Sequence, residues 1–260
     1  MFKALVIFLF LLWDARGETN NDLDSRVVGG EDAPDSSAPY IASIRRFLFE
    51  GLTETMHICG GTILTQKWIL TAAHCTFRDP AHTIQVRVGT NKRTSGGSSY
   101  DVNSIVTHED YNAKSMKNDI SLLNIVGSIK FDTNIQPIKL PTNDIGAGAM
   151  CTLKGWGKTD SHVAPENLQV VYNLTTIYVE ECNRRLDNVS KKFLPIIDKQ
   201  LCTLNQEGKG TCKGDSGGPL ISGGVQVGIV SWGVPCAKGK PDVYTRVYCY
   251  VKWINNYISN

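Results

Sequence analysis

This chain lacks a long run of lysine and arginine, a Cys-x-x-Cys pair, a Cys/His cluster at zinc spacing and a convincing internal repeat. Each absence excludes something. With 27 basic against 25 acidic side chains the balance is near neutral, so neither nucleic acid nor an anionic membrane is an expected partner. The apolar run Ala4 to Trp13 is too short to span a bilayer. Without zinc spacing, the eight cysteines point to disulfides in an exported chain, although sequence alone leaves about 105 pairings open. No separate accessory module is visible.

What is present begins with Lys3, the apolar run and Ala15-Arg16-Gly17, the layout of a secretory signal peptide over residues 1–17. A secreted, extracellular protein is expected. Residues 18–26 are polar and acidic without apolar periodicity, and read as a pro-segment. Cleavage after Arg26 would place an ammonium on Val27 at the end of a flexible Gly29-Gly30 stem; a plain linker is the alternative.

The remainder, 27–260, belongs to a chain of 260 residues of which 42% are hydrophobic, and it can bury a large core. Short apolar segments broken by Gly, Pro, Asn and Asp predict strands at Ile41–Phe47, Ile58–Leu64, Lys67–Thr71, Ile84–Val88, Ser99–Thr107 and Ile120–Val126. A turn-prone stretch from Gly127 to Asp144 separates them from a second set: Ala149–Trp156, Leu168–Val179, Gly218–Ser222, Val225–Trp232 and Asp242–Val247. Two β-rich halves follow, each a sandwich or barrel. Val251, Ile254 and Ile258, with Tyr250, Trp253 and Tyr257, recur at helical spacing and predict a terminal helix over about 249–258, burying two faces. Val179–Leu186 is a candidate second helix.

Chemistry concentrates in Gly214-Asp215-Ser216-Gly217-Gly218-Pro219. Glycine on both sides of one hydroxyl clears side chains from a backbone that must approach another molecule. Serine is a weak nucleophile, so this reading requires a base and a group to orient it. Thr71-Ala72-Ala73-His74-Cys75 supplies a histidine in a loop a cysteine can anchor, although a lone histidine is more often structural and His57, His82, His108 and His162 are also present. Asn118-Asp119-Ile120-Ser121-Leu122-Leu123 supplies a carboxylate at the head of an apolar strand, where burial demands a hydrogen-bonding partner.

These stretches, with Ser231-Trp232-Gly233 and the Val27-Val28-Gly29-Gly30 terminus, resemble the trypsin/chymotrypsin family of serine endopeptidases, in pattern nearest its arthropod members. The resemblance runs from Val27 to near the C-terminus. It implies an all-β fold of two packed six-stranded antiparallel Greek-key barrels, the first over about 27–130 and the second over about 140–248, with the active site at their interface. It implies His74 as base, Asp119 as its ionised orienting partner and Ser216 as nucleophile, with the Gly214 and Ser216 N–H groups as oxyanion hole. Asp215 would receive the Val27 ammonium after the cut at Arg26, making the uncut chain an inactive zymogen.

The resemblance further implies disulfides Cys59–Cys75, Cys182–Cys202 and Cys212–Cys236. Cys151 stands at a family cysteine position whose usual partner is here Ser222, and Cys151 is expected to pair with Cys249 instead. In the family's primary specificity pocket, Gly210 forms the floor and Thr211 follows it; without a floor charge, a guest Lys or Arg has no partner at depth. Lys213 lies at the rim, and Ser231, Trp232 and Gly233 form a wall with an open entrance. Cleavage after Phe, Tyr or Leu is expected. Asp242 departs from the glycine most members carry; its carboxylate is expected to turn aside to backbone, Thr211 or water, with a cation site, and hence broad or trypsin-like specificity, as the alternative.

Asn173 and Asn188 head N-x-S/T sequons. No cofactor or metal is expected, since the loop after Gly89 lacks the acidic ligands of calcium-binding relatives. The expected partners are protein or peptide substrates, an activating protease and protein protease inhibitors, and the enzyme is expected to be a monomer. A protease-like binding protein without catalysis is the rival from another class.

Overall fold

Buried and exposed residues alternate wherever a strand has only one face on the core, as in Ile84-Gln85-Val86-Arg87-Val88. The computed structural model describes residues 29–48, 53–159, 163–187, 195–234 and 236–259. The leader 1–17, the pro-segment, Arg26, Val27 and Asn188 lie outside the described residues.

The first barrel contains β2 (Ile41–Phe47), β3 (Thr55–Ile63), β4 (Trp68–Thr71), β5 (Ile84–Val88), β6 (Ser98–Thr107) and β7 (Ser121–Ile125), and closes in the order β2-β3-β4-β7-β6-β5. The second contains β8 (Met150–Gly155), β9 (Gln169–Ile177), β10 (Gln200–Thr203), β11 (Pro219–Ser222), β12 (Val225–Gly233) and β13 (Asp242–Arg246). Its order is β9-β10-β13-β12-β11-β8, and the β8–β9 pairing closes it. A two-residue strand β1 (Glu31–Asp32) lies along β9. All these pairings are antiparallel. Closure leaves neither barrel an open sheet edge.

Two strands were not foreseen. β1 is too short to show a period, and β10 is buried at all four positions, so it shows no alternation. Helix α1 (Val179–Leu186) buries Cys182 and Leu186, and α2 (Val251–Ile258) follows a tight turn over Val247–Tyr250. Only Ile254 of α2 is fully buried. Trp253, Tyr257 and Ile258 pack partly buried against the first barrel's core, so one face is dry and the second only shielded. The tail of the chain thereby ties the second barrel back to the first.

Three disulfides form, Cys59–Cys75, Cys182–Cys202 and Cys212–Cys236. The expected Cys151–Cys249 bond does not. Cys151 points into the second barrel's core beside Leu153 and Leu174, whereas Cys249 is exposed on the turn before α2, its sulfur 3.9 Å from the Asp198 carbonyl. Strand β8 fixes the first thiol inward and the turn fixes the second outward, so the two face different surroundings. Burial pushes the Cys151 thiol up to about 11, which keeps it protonated.

Candidate active site

Strand register brings the first two site residues together. Strand β4 ends where β7 begins, with Thr71 opposite Ser121, so the chain leaving β4 carries His74 to the segment that enters β7 at Asp119. His74 sits in a tight turn, Ala73–Cys75, pinned by the Cys59–Cys75 bond. Its backbone N–H donates to Asp119 Oδ1 at 2.8 Å, and its ring Nδ1 lies 2.7 Å from Oδ2. The carboxylate can only accept, so the proton between them belongs to Nδ1 and leaves Nε2 with a lone pair.

Asp119 is buried and is gripped from the second barrel. Ser231 Oγ on β12 donates to Oδ2 at 2.6 Å, and Thr245 Oγ1 on β13 donates to the Asp119 carbonyl at 2.7 Å. Burial opposes charge on His74, but the neighbouring carboxylate and its hydrogen bond outweigh it and hold the imidazole above its ordinary pKa. Such a histidine accepts a proton readily and is stabilised once it has one.

Ser216 arrives on a loop between β10 and β11. Gly214 and Gly217 have φ of 106° and 75°, a backbone that L side chains rarely adopt. A Cβ at Gly217 would stand 2.6 Å from the Gly60 carbonyl and 3.1 Å from Cys75 Sγ, the sulfur that itself lies 3.8 Å from His74 Nε2. Glycine therefore lets the serine loop close onto the histidine loop. Gly60 N–H donates to the Ser216 carbonyl at 2.8 Å, and Gly217 N–H to the Val230 carbonyl at 2.8 Å, so both barrels hold the loop.

Beneath it lies Asp215, fully buried. Its carboxylate accepts from Gly157 N–H at 2.8 Å and Cys212 N–H at 2.9 Å. A Cβ on Gly155 or Gly157 would overlap these oxygens, which accounts for both glycines around Trp156. Burial pushes the acid up to about 6, against the two N–H bonds that pull it down.

A cleft of about 150 Å³ opens beside Ser216, lined by Thr211, Cys212, Lys213, Val230, Ser231, Trp232 and Gly233. Gly210 and Asp242 stand behind that lining. Asp242 Oδ2 accepts from Thr211 N–H at 2.9 Å and Oδ1 from Thr211 Oγ1 at 2.6 Å. The carboxyl occupies space that glycine leaves: a Cβ on Gly210 would sit 2.5 Å from Oδ2, and one on Gly233 2.8 Å from Oδ1. Burial, first, and the charge of Asp215 raise Asp242 to about 7 against the bonds from Thr211.

Ser231 lines this cleft, but its hydroxyl serves Asp119, a role that the Ser231-Trp232-Gly233 run did not signal. His57 is another residue whose place was not legible: it is half-buried, with Nδ1 2.8 Å from Ser43 Oγ and Nε2 3.1 Å from the Gly214 carbonyl. Asn173 stands exposed at φ 61° in β9, where the β8–β9 register shifts. Cys59, His74 and Cys75 hold metal-type donor atoms within 4.8 Å of one another, but the two sulfurs are bonded to each other and offer no thiolate. Among the described residues no helix is long and apolar enough to cross a membrane.

Two antiparallel barrels meeting over a buried carboxylate, its half-buried imidazole partner and a glycine-flanked serine define a serine endopeptidase. A family model described as Trypsin matches residues 27–254, and the chain belongs to the trypsin family of serine proteases. It is 37% identical to Chymotrypsin-2 of Vespa crabro over 230 residues, 88% of this chain and 98% of that one. It is 37% identical to Trypsin delta of Drosophila melanogaster over 241 residues, 92% and 89% of the two chains. It is also 36% identical to Trypsin Blo t 3 of Blomia tropicalis over 270 positions, 97% of each. Relatives bearing chymotrypsin and trypsin names thus stand at equal distance, and specificity must be argued from the pocket.

Proposed function

We propose that this protein is a secreted serine endopeptidase, made as a zymogen, that cleaves after large hydrophobic or aromatic residues. The observation that carries the chemistry is the Asp119–His74 pair, which puts the proton on Nδ1 and leaves the Nε2 lone pair to act as base. Ser216 Oγ attacks the scissile carbonyl as its proton passes to His74 Nε2, and the oxyanion is held by the Gly214 and Ser216 N–H groups. His74 then returns the proton to the departing amine, leaving an acyl-serine. Water, deprotonated by His74, attacks the ester, and the acid leaves as Ser216 recovers its proton.

Asp215 is the seat of activation in this reading. A buried carboxyl raised to about 6 on two N–H bonds gains from a cation, and the Val27 ammonium freed by a cut at Arg26 supplies one. The start of the described chain favours this: Gly29, at φ 72°, lies close against Gly208 and Lys209, on the loop that runs to the pocket. An activating protease cutting after Arg26 and protein inhibitors filling the cleft are the partners implied, with a monomer as the working form. Lys213 at the rim favours acidic residues in the substrate.

The pocket supports apolar guests because its one deep carboxyl already has both oxygens engaged by Thr211. Desolvating a guest Arg or Lys then returns little while Asp242 is neutral. A second reading, cleavage after Arg and Lys, is favoured by that same carboxyl once ionised. The experiment is to cut the purified chain after Arg26, label Ser216 with a fluorophosphonate, and compare reporter peptides ending in Phe and in Arg. Labelling with faster Phe cleavage is expected; absence of labelling would favour a binding protein without catalysis, and faster Arg cleavage the second reading.

A further inference from the structure

Ser43 and Arg45 stand two residues apart on one face of β2, and a bulge between Ile44 and Arg45 sets His57 of β3 opposite Arg45. The three side chains form a line that ends on the serine loop. Arg45 Nη1 is 3.5 Å from Ser43 Oγ, Ser43 Oγ 2.8 Å from His57 Nδ1, and His57 Nε2 3.1 Å from the Gly214 carbonyl. Donor directions follow from chemistry. The Gly214 carbonyl only accepts, so Nε2 carries the imidazole proton; Nδ1 is then a lone pair and takes the Ser43 hydroxyl; a guanidinium only donates, so Arg45 faces Ser43's lone pairs.

We propose that Arg45 is a positioning residue for the oxyanion loop, holding His57 neutral in the tautomer that donates to Gly214 and so anchoring the peptide beside Ser216. This rests on the oxyanion role proposed for Gly214. The anchor has a task there, because Gly214 has no side chain and sits at φ 106° with nothing of its own to prevent rotation. Arg45 is itself fixed: it is buried, and donates to Thr55 Oγ1 at 2.7 Å, the Thr55 carbonyl at 2.5 Å and the Arg93 carbonyl at 2.8 Å.

A protonated His57 would turn two donors, Nδ1–H and the guanidinium, onto one hydroxyl whose own proton then has no acceptor in this line. The surroundings agree. Burial, first, holds His57 down at about 4 despite its bond to Gly214, and Arg45 and Arg93 press the same way. The other charges facing this cluster are Arg87 and Glu166, which act on Arg45 in opposite senses, and Asp215 beneath the loop.

The test uses Arg45→Met, Arg45→Lys and Ser43→Ala in the activated enzyme. Loss of one oxyanion donor costs on the order of 10²–10³ in kcat, so a donor left in place but unanchored should lose about tenfold, with KM within about twofold. Arg45→Lys, which keeps the charge, should recover most of that, and the Met/Ala double variant should be no worse than the worse single one. Nitrogen NMR of His57 in the unaltered protein should show the proton on Nε2 and no second protonation until near pH 4; in Arg45→Met that titration should move upward. A folded Arg45→Met with full kcat, additive losses in the double variant, or a wild-type His57 protonated on Nδ1 each overturns the proposal. Should Arg45→Met not fold, Ser43→Ala and the wild-type spectrum decide it. If fluorophosphonate fails to label the unaltered enzyme, the proposed function has failed instead, and the His57 spectrum still reads the relay.

Discussion

The two barrels share one strand order yet hold their site groups in different ways. The first presents His74 and Asp119 from the paired ends of β4 and β7, where ladder hydrogen bonds fix the backbone on either side. The second presents Ser216 and the cleft from the loops around residues 208–218 and 236–241, braced by Cys212–Cys236 and two buried acids, Asp215 and Asp242. Groups held by register are positioned as firmly as the sheet. Groups held by loops depend on a few charges whose protonation changes with pH. The first barrel's reacting pair should therefore fail by substitution, whereas the second barrel's loops should fail also by titration, both of their own acids and of His57, which braces them from β3.

The largest test of that contrast is Asp119→Asn. An amide accepts from Nδ1–H less well and invites the opposite tautomer, so kcat should fall by about 10⁴, the loss known for the chymotrypsin template, with the thermal midpoint little changed. Steady-state kinetics on a Phe reporter reads it, and a loss under about tenfold would mean that register alone orients His74. Next is Asp215→Asn, in the loop-held half. Its amide nitrogen must face one of two N–H donors, Gly157 or Cys212, so the oxyanion loop should loosen and kcat/KM fall by about 10²–10³.

Titration separates the halves in stability as well. Asp242 is raised in the folded state to about 7, so its contribution is full below the unfolded pKa near 3.8 and is lost as pH rises through about 7. His57 is depressed to about 4, so its contribution is full above 6.5 and is lost as pH falls through about 4. Asp242→Asn should remove the alkaline-side loss and His57→Gln the acid-side one, each changing unfolding free energy by on the order of 3–4 kcal/mol across its window. Denaturant midpoints between pH 4 and 8 check both, and parallel pH profiles for variant and parent would refute the assignment.

In the pocket the same acid should make selectivity depend on pH. An Arg guest needs Asp242 ionised, so the Arg/Phe ratio of kcat/KM should rise about tenfold per pH unit below about 7 and level off above it. Taking the ratio cancels the titration of His74. Asp242→Gly should make it flat, whereas a flat ratio in the parent enzyme would leave Asp242 with no part in specificity. The smallest expected effect is in the thiols: Cys249→Ala should cost under about 0.5 kcal/mol and Cys151→Ala about 1, against about 2–5 for losing Cys182–Cys202. Equal, disulfide-sized losses at both positions would restore their pairing.

Much of this was legible in the sequence, for identifiable reasons. The first-barrel strands follow from apolar runs between turn residues, and all six were placed within a few residues of their ends. β10 was hidden because Gln200-Leu201-Cys202-Thr203 is buried throughout and carries polar residues, so neither alternation nor hydrophobicity marks it. The proposed roles of His74, Asp119 and Ser216 rest on short motifs that sequence displays directly. Ser231, Thr245, Ser43 and Arg45 could not be read this way, because what each does depends on a partner many residues away, fixed only when the barrels close. The Cys151–Cys249 expectation failed on the same ground: counting thiols says nothing about which way a strand turns them.

Asp119 belongs to the first barrel by sequence, yet two of its hydrogen bonds come from Ser231 and Thr245 of the second. The seam between the barrels therefore works as a fuse. A displacement by the length of one hydrogen bond strips the carboxylate of its outside support while every strand stays paired. The reacting pair can then be idled while both barrels remain folded, and restored when the halves settle back.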